Sequence, residues 1–243
     1  MSEAWRQLGT PRAGGILLIA DHASAHVPPD IDLGIDRALL REHIAIDLGV
    51  AEVAALLVEA SVVDAAILGG VSRLVVDCNR DEDVPGAVPI ASDGHAIPGN
   101  ALDHAGREAR LARFFRPYHA HIAATVAAHR PAMILSLHSF TPSLASDPAQ
   151  VRPWHVGVLY NADDRLAGPA IAALTEEGLN VGDQLPYSGK LLNATMNRHA
   201  EANDIPYVGI EMRQDLVRDA AGQARFAEQL GRMCKKVALY VAE

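Results

Sequence analysis

The 243-residue chain has only two cysteines, Cys78 and Cys234, far apart and with no CxxC or Cys/His ligand spacing beside either. This argues against both a disulfide framework and a thiolate zinc site. Positive charge is also scarce: 21 Lys and Arg stand against 30 Asp and Glu, a formal net charge of −9. That balance repels phosphate backbones, and no basic run or stripe offsets it, so nucleic acid is not an expected partner. No apolar run reaches the length of a membrane span, and no membrane association is expected. The opening residues, MSEAWRQLGTPRAGG, lack the apolar core of a secretion signal, so a cytoplasmic location is expected.

The composition is that of an ordinary globular protein, with 49% hydrophobic and 21% charged residues. The length suits one large α/β domain spanning residues 1–243. Ile16 to Ala20 (ILLIA) is too short for a free-standing helix and too apolar for a surface strand. It reads as a buried parallel strand that delivers Asp21 and His22 at its end.

Further along, apolar residues at helical spacing predict a first crossover helix over Arg37 to Ala60. Ser61 to Leu68 reads as a short strand, and the β-rich run SRLVVDCNR, Ser72 to Arg80, as another ending in Asn79 and Arg80. Asp81 to Ala101, rich in Gly, Pro and Asp, reads as a long loop over the site. Asp103 to His129 reads as helix, kinked or divided at Pro117.

Met133 to Leu137 is a second buried strand, delivering His138 and Ser139, and Trp154 to Tyr160 a third. Helices are predicted over Asp163 to Gly178 and Leu191 to Ala202, with the loop GDQLPYSGK between them. Pro206 to Ile210 is a short strand followed by Glu211 and Arg213, and Asp215 to Ala242 an amphipathic closing helix. The alternation predicts a three-layer α/β/α sandwich around a mostly parallel, mixed sheet.

Four predicted strands thus end in polar groups: Asp21-His22, Asn79-Arg80, His138-Ser139 and Glu211 with Arg213. In a parallel sheet these ends share one crevice. Two histidines with carboxylates suit a catalytic zinc that takes nitrogen and oxygen ligands. Candidates for the third ligand lie on the first predicted helix, where His43 and Asp47 would share a face. Asp47 lies in the apolar stretch IAIDLGV, where an unpaired carboxylate is expensive to bury, and Glu42 is its rival. A serine hydrolase using Ser24, Ser139 or Ser188 is disfavoured, since none sits in a GxSxG elbow.

Several blocks, in order, resemble the N-formylglutamate amidohydrolase family: DHAS at Asp21 to Ser24, IDLG at Ile46 to Gly49 and SRLVVDCNR. RPYH at Arg116 to His119, SLHSFTP at Ser136 to Pro142, PYSG at Pro186 to Gly189, RHA at Arg198 to Ala200 and EMRQDL at Glu211 to Leu216 continue the series. The resemblance implies a phosphorylase/hydrolase-like fold shared with zinc-dependent exopeptidases. It also implies hydrolysis of a small N-acyl amino acid, typically N-formyl-L-glutamate.

Carried onto this chain, the resemblance makes His22, Asp47 and His138 the ligands of one zinc ion and Glu211 the catalytic glutamate. Asn79 and Arg80, with Arg213, would hold a substrate carboxylate, while Tyr187 and Ser188 would line the pocket. Two alternatives remain at this stage: a zinc amidase or carboxypeptidase acting on another peptide-like amide, and a binding protein on an inactivated hydrolase scaffold.

Overall fold

The computed structural model describes residues 3–241. In chain order its main elements begin with β1 (Trp5–Gly9), β2 (Ile16–Ala20), α1 (Val50–Glu59) and β3 (Ala65–Gly69). The small hairpin β4 (Ala91–Ser92) and β5 (His95–Ala96) follows, then α2 (His104–Arg110) and α3 (Arg116–His129). The second half comprises β6 (Met133–Phe140), β7 (Val156–Leu159), α4 (Ala167–Glu176), β8 (Val181–Asp183), α5 (Ala194–His199), β9 (Tyr207–Arg213) and α6 (Ala220–Val237).

Seven strands form one mixed sheet in the order β1-β3-β2-β6-β9-β7-β8. The central four, β3, β2, β6 and β9, are mutually parallel. β1 runs antiparallel to β3, and β7 antiparallel to β9. The sheet is covered on both faces, and the side-chain period of two divides β2 between them. Leu18 and Ala20 pack with α1, α4 and α6 on one face, whereas Leu17 and Ile19 pack with Phe114, Tyr118 and Ile122 on the other. The three-layer α/β/α sandwich expected from the sequence is therefore present.

The long C-terminal helix forms because its apolar residues recur at helical spacing. Asp219 accepts a hydrogen bond from Gly222 N at its start, and Lys235 and Lys236 occupy its last turn. Phe226, Leu230, Met233 and Val237 are fully buried against the sheet. Each contributes roughly 1.5–3 kcal/mol on burial, so Leu230→Ala alone would cost about 2–5 kcal/mol.

Two local expectations are corrected. The helix predicted over Arg37 to Ala60 is only a short 3₁₀ turn, Arg37–Arg41, followed by turns, with α1 starting at Val50. Gly49 explains the break, since its φ of 80° places it in the left-handed region outside the helix. His43 and Asp47 consequently share no helical face. The run SRLVVDCNR is not a strand either. Ser72 O accepts from Val75 N and Val76 N while Ser72 Oγ accepts from Leu74 N, and these local bonds curl the segment into turns.

Pro117 does mark a division. A five-residue π-helical segment, Leu111–Phe115, separates α2 from α3, and its wider winding accommodates a proline that has no N–H to donate. β1 and β8 lay outside the sequence expectations. Both are short, and β1 carries alternation too weak to separate it from a polar terminus.

Candidate metal centre and substrate cavity

β2 and β6 are parallel neighbours, so their carboxyl ends release His22 and His138 side by side. Asp47 arrives from the turns before α1. Its backbone N–H donates to His22 O at 2.9 Å, Ser72 Oγ donates to Ala45 O at 2.8 Å, and Ser139 Oγ donates to Leu48 O at 2.8 Å. These bonds pin Asp47 between the two strand ends. All three side chains are buried.

Nδ1 of His22 lies 3.3 Å from Asp47 Oδ2, and Nδ1 of His138 lies 2.9 Å from the same oxygen. Ligand atoms of the three residues all fall within 4.8 Å of one another, a grouping that can hold a metal ion. Each ring faces a second carboxylate through its other nitrogen, at hydrogen-bond distance for His22 only. His22 Nε2 meets Asp77 Oδ1 at 2.7 Å, and His138 Nε2 stands 3.4 Å from Asp21 Oδ2. Asp21 in turn receives hydrogen bonds from Tyr118 Oη at 2.9 Å and Thr195 Oγ1 at 2.8 Å.

Charge tests whether a cation belongs here. Asp21, Asp47 and Asp77 are buried together, and Arg73 spans Asp47 Oδ1 at 3.2 Å and Asp77 Oδ2 at 3.0 Å. Balance requires further positive charge, supplied either by protons on both histidines or by a divalent cation between neutral ones. The histidine titrations express the same demand. Burial and Arg73 alone would lower the His22 pKa, but Asp77 and Asp47 leave it raised. Burial is likewise outweighed at His138, where Asp21 and Asp47 hold the pKa well above its ordinary value. Burial opposes ionisation of Asp47 too, yet His22, His138 and Arg73 keep it well below the usual carboxylate range. Two nitrogens and a carboxylate oxygen converging where positive charge is wanted fit a divalent metal.

Glu211 lies on β9 directly opposite His138 in the register. It is buried, and its Oε2 has no hydrogen-bond partner. Burial pushes its pKa up to about 7, His138 opposes this, and the Asp47 charge adds to it. A cavity of about 140 Å³ opens over these groups, walled further by Asn79, Arg80, Tyr187 and Leu192. That size suits a small metabolite and falls below the roughly 300–1,000 Å³ of drug-sized pockets.

Arg80 is partly exposed and its nearest carboxylate contact is Nε to Asp77 Oδ2 at 3.7 Å. Asn79 is fixed by its neighbours: its N–H donates to Asp77 Oδ1 and its Oδ1 accepts from Thr195 N. The structure thus brings His22, Asp47, His138, Glu211, Asn79, Arg80 and Tyr187 around one cavity.

Arg213 and Ser188 lie elsewhere. The Arg213 guanidinium donates to Asp215 and to the carbonyls of Pro153 and Trp154, because the last residue of β9 turns its side chain away from the crevice. Ser188 Oγ accepts from Lys190 N, and its carbonyl accepts from Leu191 N and Leu192 N, so it shapes the loop rather than the wall. Glu42, the rival ligand, is exposed and belongs to no metal-competent grouping among the described residues.

Sequence reasoning passed over Asp77 and Arg73 as cavity groups, while His43, weighed as a third ligand, lines the cavity without joining the metal-competent group. Asp77 carried a usable signal, since a carboxylate inside the apolar run LVVDC poses the same burial problem as Asp47 in IAIDLGV.

The profile of the N-formylglutamate amidohydrolase family matches residues 14–218. The chain belongs to the N-formylglutamate amidohydrolase family. The solved structure of a gene product from Agrobacterium tumefaciens is 32% identical, with a TM-score of 0.91, and the match covers 99% of this chain and 96% of that one. The N-formylglutamate amidohydrolase from Ralstonia eutropha JMP134 shares the fold at 20% identity and a TM-score of 0.72, covering 99% of this chain and 98% of its own. No curated protein matches the sequence. Family membership makes this chain one of the amide-hydrolysing type. No helix among the described residues is long and apolar enough to cross a membrane.

Proposed function

We propose that this protein is a zinc-dependent amidohydrolase of N-acyl amino acids, with N-formyl-L-glutamate, cleaved to formate and L-glutamate, as the first substrate to test. The convergence of His22 Nδ1 and His138 Nδ1 on one oxygen of Asp47, with Glu211 beside them, carries the reading. These three residues would hold the zinc, whose preference for nitrogen and oxygen donors they match. When bound, the ion supplies Lewis acidity, which lets water and an amide carbonyl react near neutral pH.

The remaining work falls to the chain itself. Glu211 takes the proton of the attacking water and passes it to the leaving nitrogen, a role typically worth about 10²–10⁴-fold. Its unpartnered Oε2 faces this task with no competing bond. Arg80 holds the substrate carboxylate through a planar pair of donors, and Asn79 adds a neutral donor beside it. Tyr187 completes the wall on the opposite loop. The one-domain organisation and the cytoplasmic location belong to the same proposal.

The test is the metal content and turnover of the purified protein beside a His22→Ala/His138→Ala double variant. Zinc and formate release from N-formyl-L-glutamate in the first, and neither in the folded second, support the reading. A protein that folds, takes up no zinc and releases no formate would defeat it and favour a binding role.

A further inference from the structure

Arg152 is 5% exposed and lies in the loop between β6 and β7. Its hydrogen bonds all go to uncharged oxygens. Nε donates to Gln150 Oε1 at 2.8 Å, and one terminal nitrogen donates to Thr141 O at 3.3 Å and to Tyr187 Oη at 2.9 Å. Its Cζ also stands 5.0 Å from the centre of the Tyr187 ring. A buried guanidinium satisfied only by neutral groups is costly to keep, and this one sits immediately behind two cavity-wall residues, Thr141 and Tyr187.

The direction of the Tyr187 bond matters. A phenol hydroxyl has a single proton to donate and lone pairs with which to accept. Since Arg152 donates to Tyr187 Oη, the hydroxyl proton must point elsewhere, and among the described residues no acceptor receives it. The side chain lines the cavity, so the free direction leads toward whatever fills it. Tyr187 remains a phenol there, because burial and then the Glu211 charge raise its pKa. An adjacent cation withdraws electron density from the oxygen it binds and makes the hydroxyl a stronger donor.

We propose that Arg152 is a positioning residue: it holds the Tyr187 hydroxyl so that its proton is donated into the cavity, to an oxygen of the substrate. The substrate part rests on the amidohydrolase reading above, whereas the Arg152–Tyr187 coupling does not. Arg152 touches no reacting atom and acts through Tyr187 alone. A purely structural arginine would instead pin the loop through Thr141 O and leave the tyrosine's behaviour unchanged.

The experiment combines kinetics on N-formyl-L-glutamate with ¹⁹F spectra of zinc-loaded protein labelled with 3-fluorotyrosine, in which Tyr187→Phe identifies the relevant resonance among the five tyrosines. Arg152→Met and Tyr187→Phe should each lower kcat/KM by roughly ten- to hundredfold, the range for hydrogen bonds involving charged groups. Arg152→Lys should restore part of the loss. In the Tyr187→Phe background, Arg152→Met should cost less than about twofold, because the two residues act as one unit. The Tyr187 resonance should move in both Arg152→Met and Arg152→Gln, and the second keeps the test available if the first does not fold.

Full cost of Arg152→Met without the Tyr187 hydroxyl, or an unmoved resonance in folded Arg152→Gln, would overturn the proposal. If the unaltered protein hydrolyses no N-acyl amino acid, the amidohydrolase reading fails separately, and the resonance alone decides whether Arg152 sets the hydroxyl.

Discussion

Nε2 of His22 lies 2.7 Å from Asp77 Oδ1 while Nδ1 of the same ring faces Asp47 Oδ2 at 3.3 Å, so one imidazole joins two buried carboxylates. With a proton on Nε2 donated to Asp77, the Nδ1 lone pair is left for the metal position. On the proposed reading, Asp77 thereby sets both the tautomer and the orientation of a metal ligand. Asp77→Ala should weaken zinc affinity by about 10–100-fold, read by competition with a chelator. Because Arg73 also loses a partner, a denaturation curve is needed beside it. Unchanged affinity in a stable variant would make Asp77 a structural anchor for Arg73 alone.

Glu211→Gln keeps the shape of the β9 edge and removes the proposed base. Turnover should fall by at least about 10²-fold, while zinc content stays at the level of the unaltered protein. The two measurements separate the roles of Glu211 and of the ligands. Near-normal turnover would take Glu211 out of the mechanism.

Arg80 is the cavity guanidinium with the loosest protein contact, 3.7 Å to Asp77, whereas Arg73 is spanned between two aspartates. A lysine at position 80 keeps the charge and loses the paired donor geometry. Arg80→Lys should raise KM by about tenfold and leave kcat within a few-fold, as expected for a contact made equally in ground and transition states. If KM and kcat/KM both stay unchanged, Arg80 does not hold the substrate.

The legible part of this molecule was the part written in apolar runs. ILLIA and MILSL announced two of the four parallel strands most clearly, with Ser61 to Leu68 and Pro206 to Ile210 overlapping the other two. His22, two residues past ILLIA, and His138, near the end of β6, needed no long-range information to be noticed. Asp47 was found through a burial argument, not a helix argument, and that argument survived when the helix did not. Gly49 was the missed cue, since its left-handed backbone marks the start of α1 and leaves Asp47 outside the helix. SRLVVDCNR misled for a physical reason. Its β-branched residues fill the core on the far face of the sheet while Ser72 diverts the backbone bonds a ladder would need. Arg213 misled because position alone cannot tell toward which side of a strand end a long side chain turns.

Gly49 should therefore be intolerant of a side chain. With φ at 80°, an added Cβ would come within 2.4 Å of Val217 O. Gly49→Ala is expected to cost about 1–3 kcal/mol in stability, measured by chemical denaturation. Since Asp47 lies two residues earlier in the same turn, zinc affinity should fall as well. A variant that loses stability but binds zinc normally would show that the turn holds Asp47 without help from Gly49.

Behind the cavity, His119 and His199 form a buried neutral pair: His199 Nε2 donates to His119 Nδ1 at 2.9 Å, and His119 Nε2 donates to Cys78 O at 3.0 Å. Burial lowers His119 to about 4 and, with the neighbouring His119 adding to it, lowers His199 to about 3. In the unfolded chain both should titrate at about 6.5. Below pH of about 6.5 the unfolded state thus binds more protons, so stability falls as pH falls, down to about 4 for His119 and about 3 for His199, and levels off below that. Each ring taken singly should account for a loss of roughly 3–5 kcal/mol over its own window, measured as unfolding free energy against pH. His119→Gln, which can still donate to Cys78 O, should flatten the slope over this range. A slope identical to that of the unaltered protein would leave the His119–His199 pair without a titrating role, since the buried aspartates, with pKa values below the usual carboxylate range, lose their contribution only at lower pH.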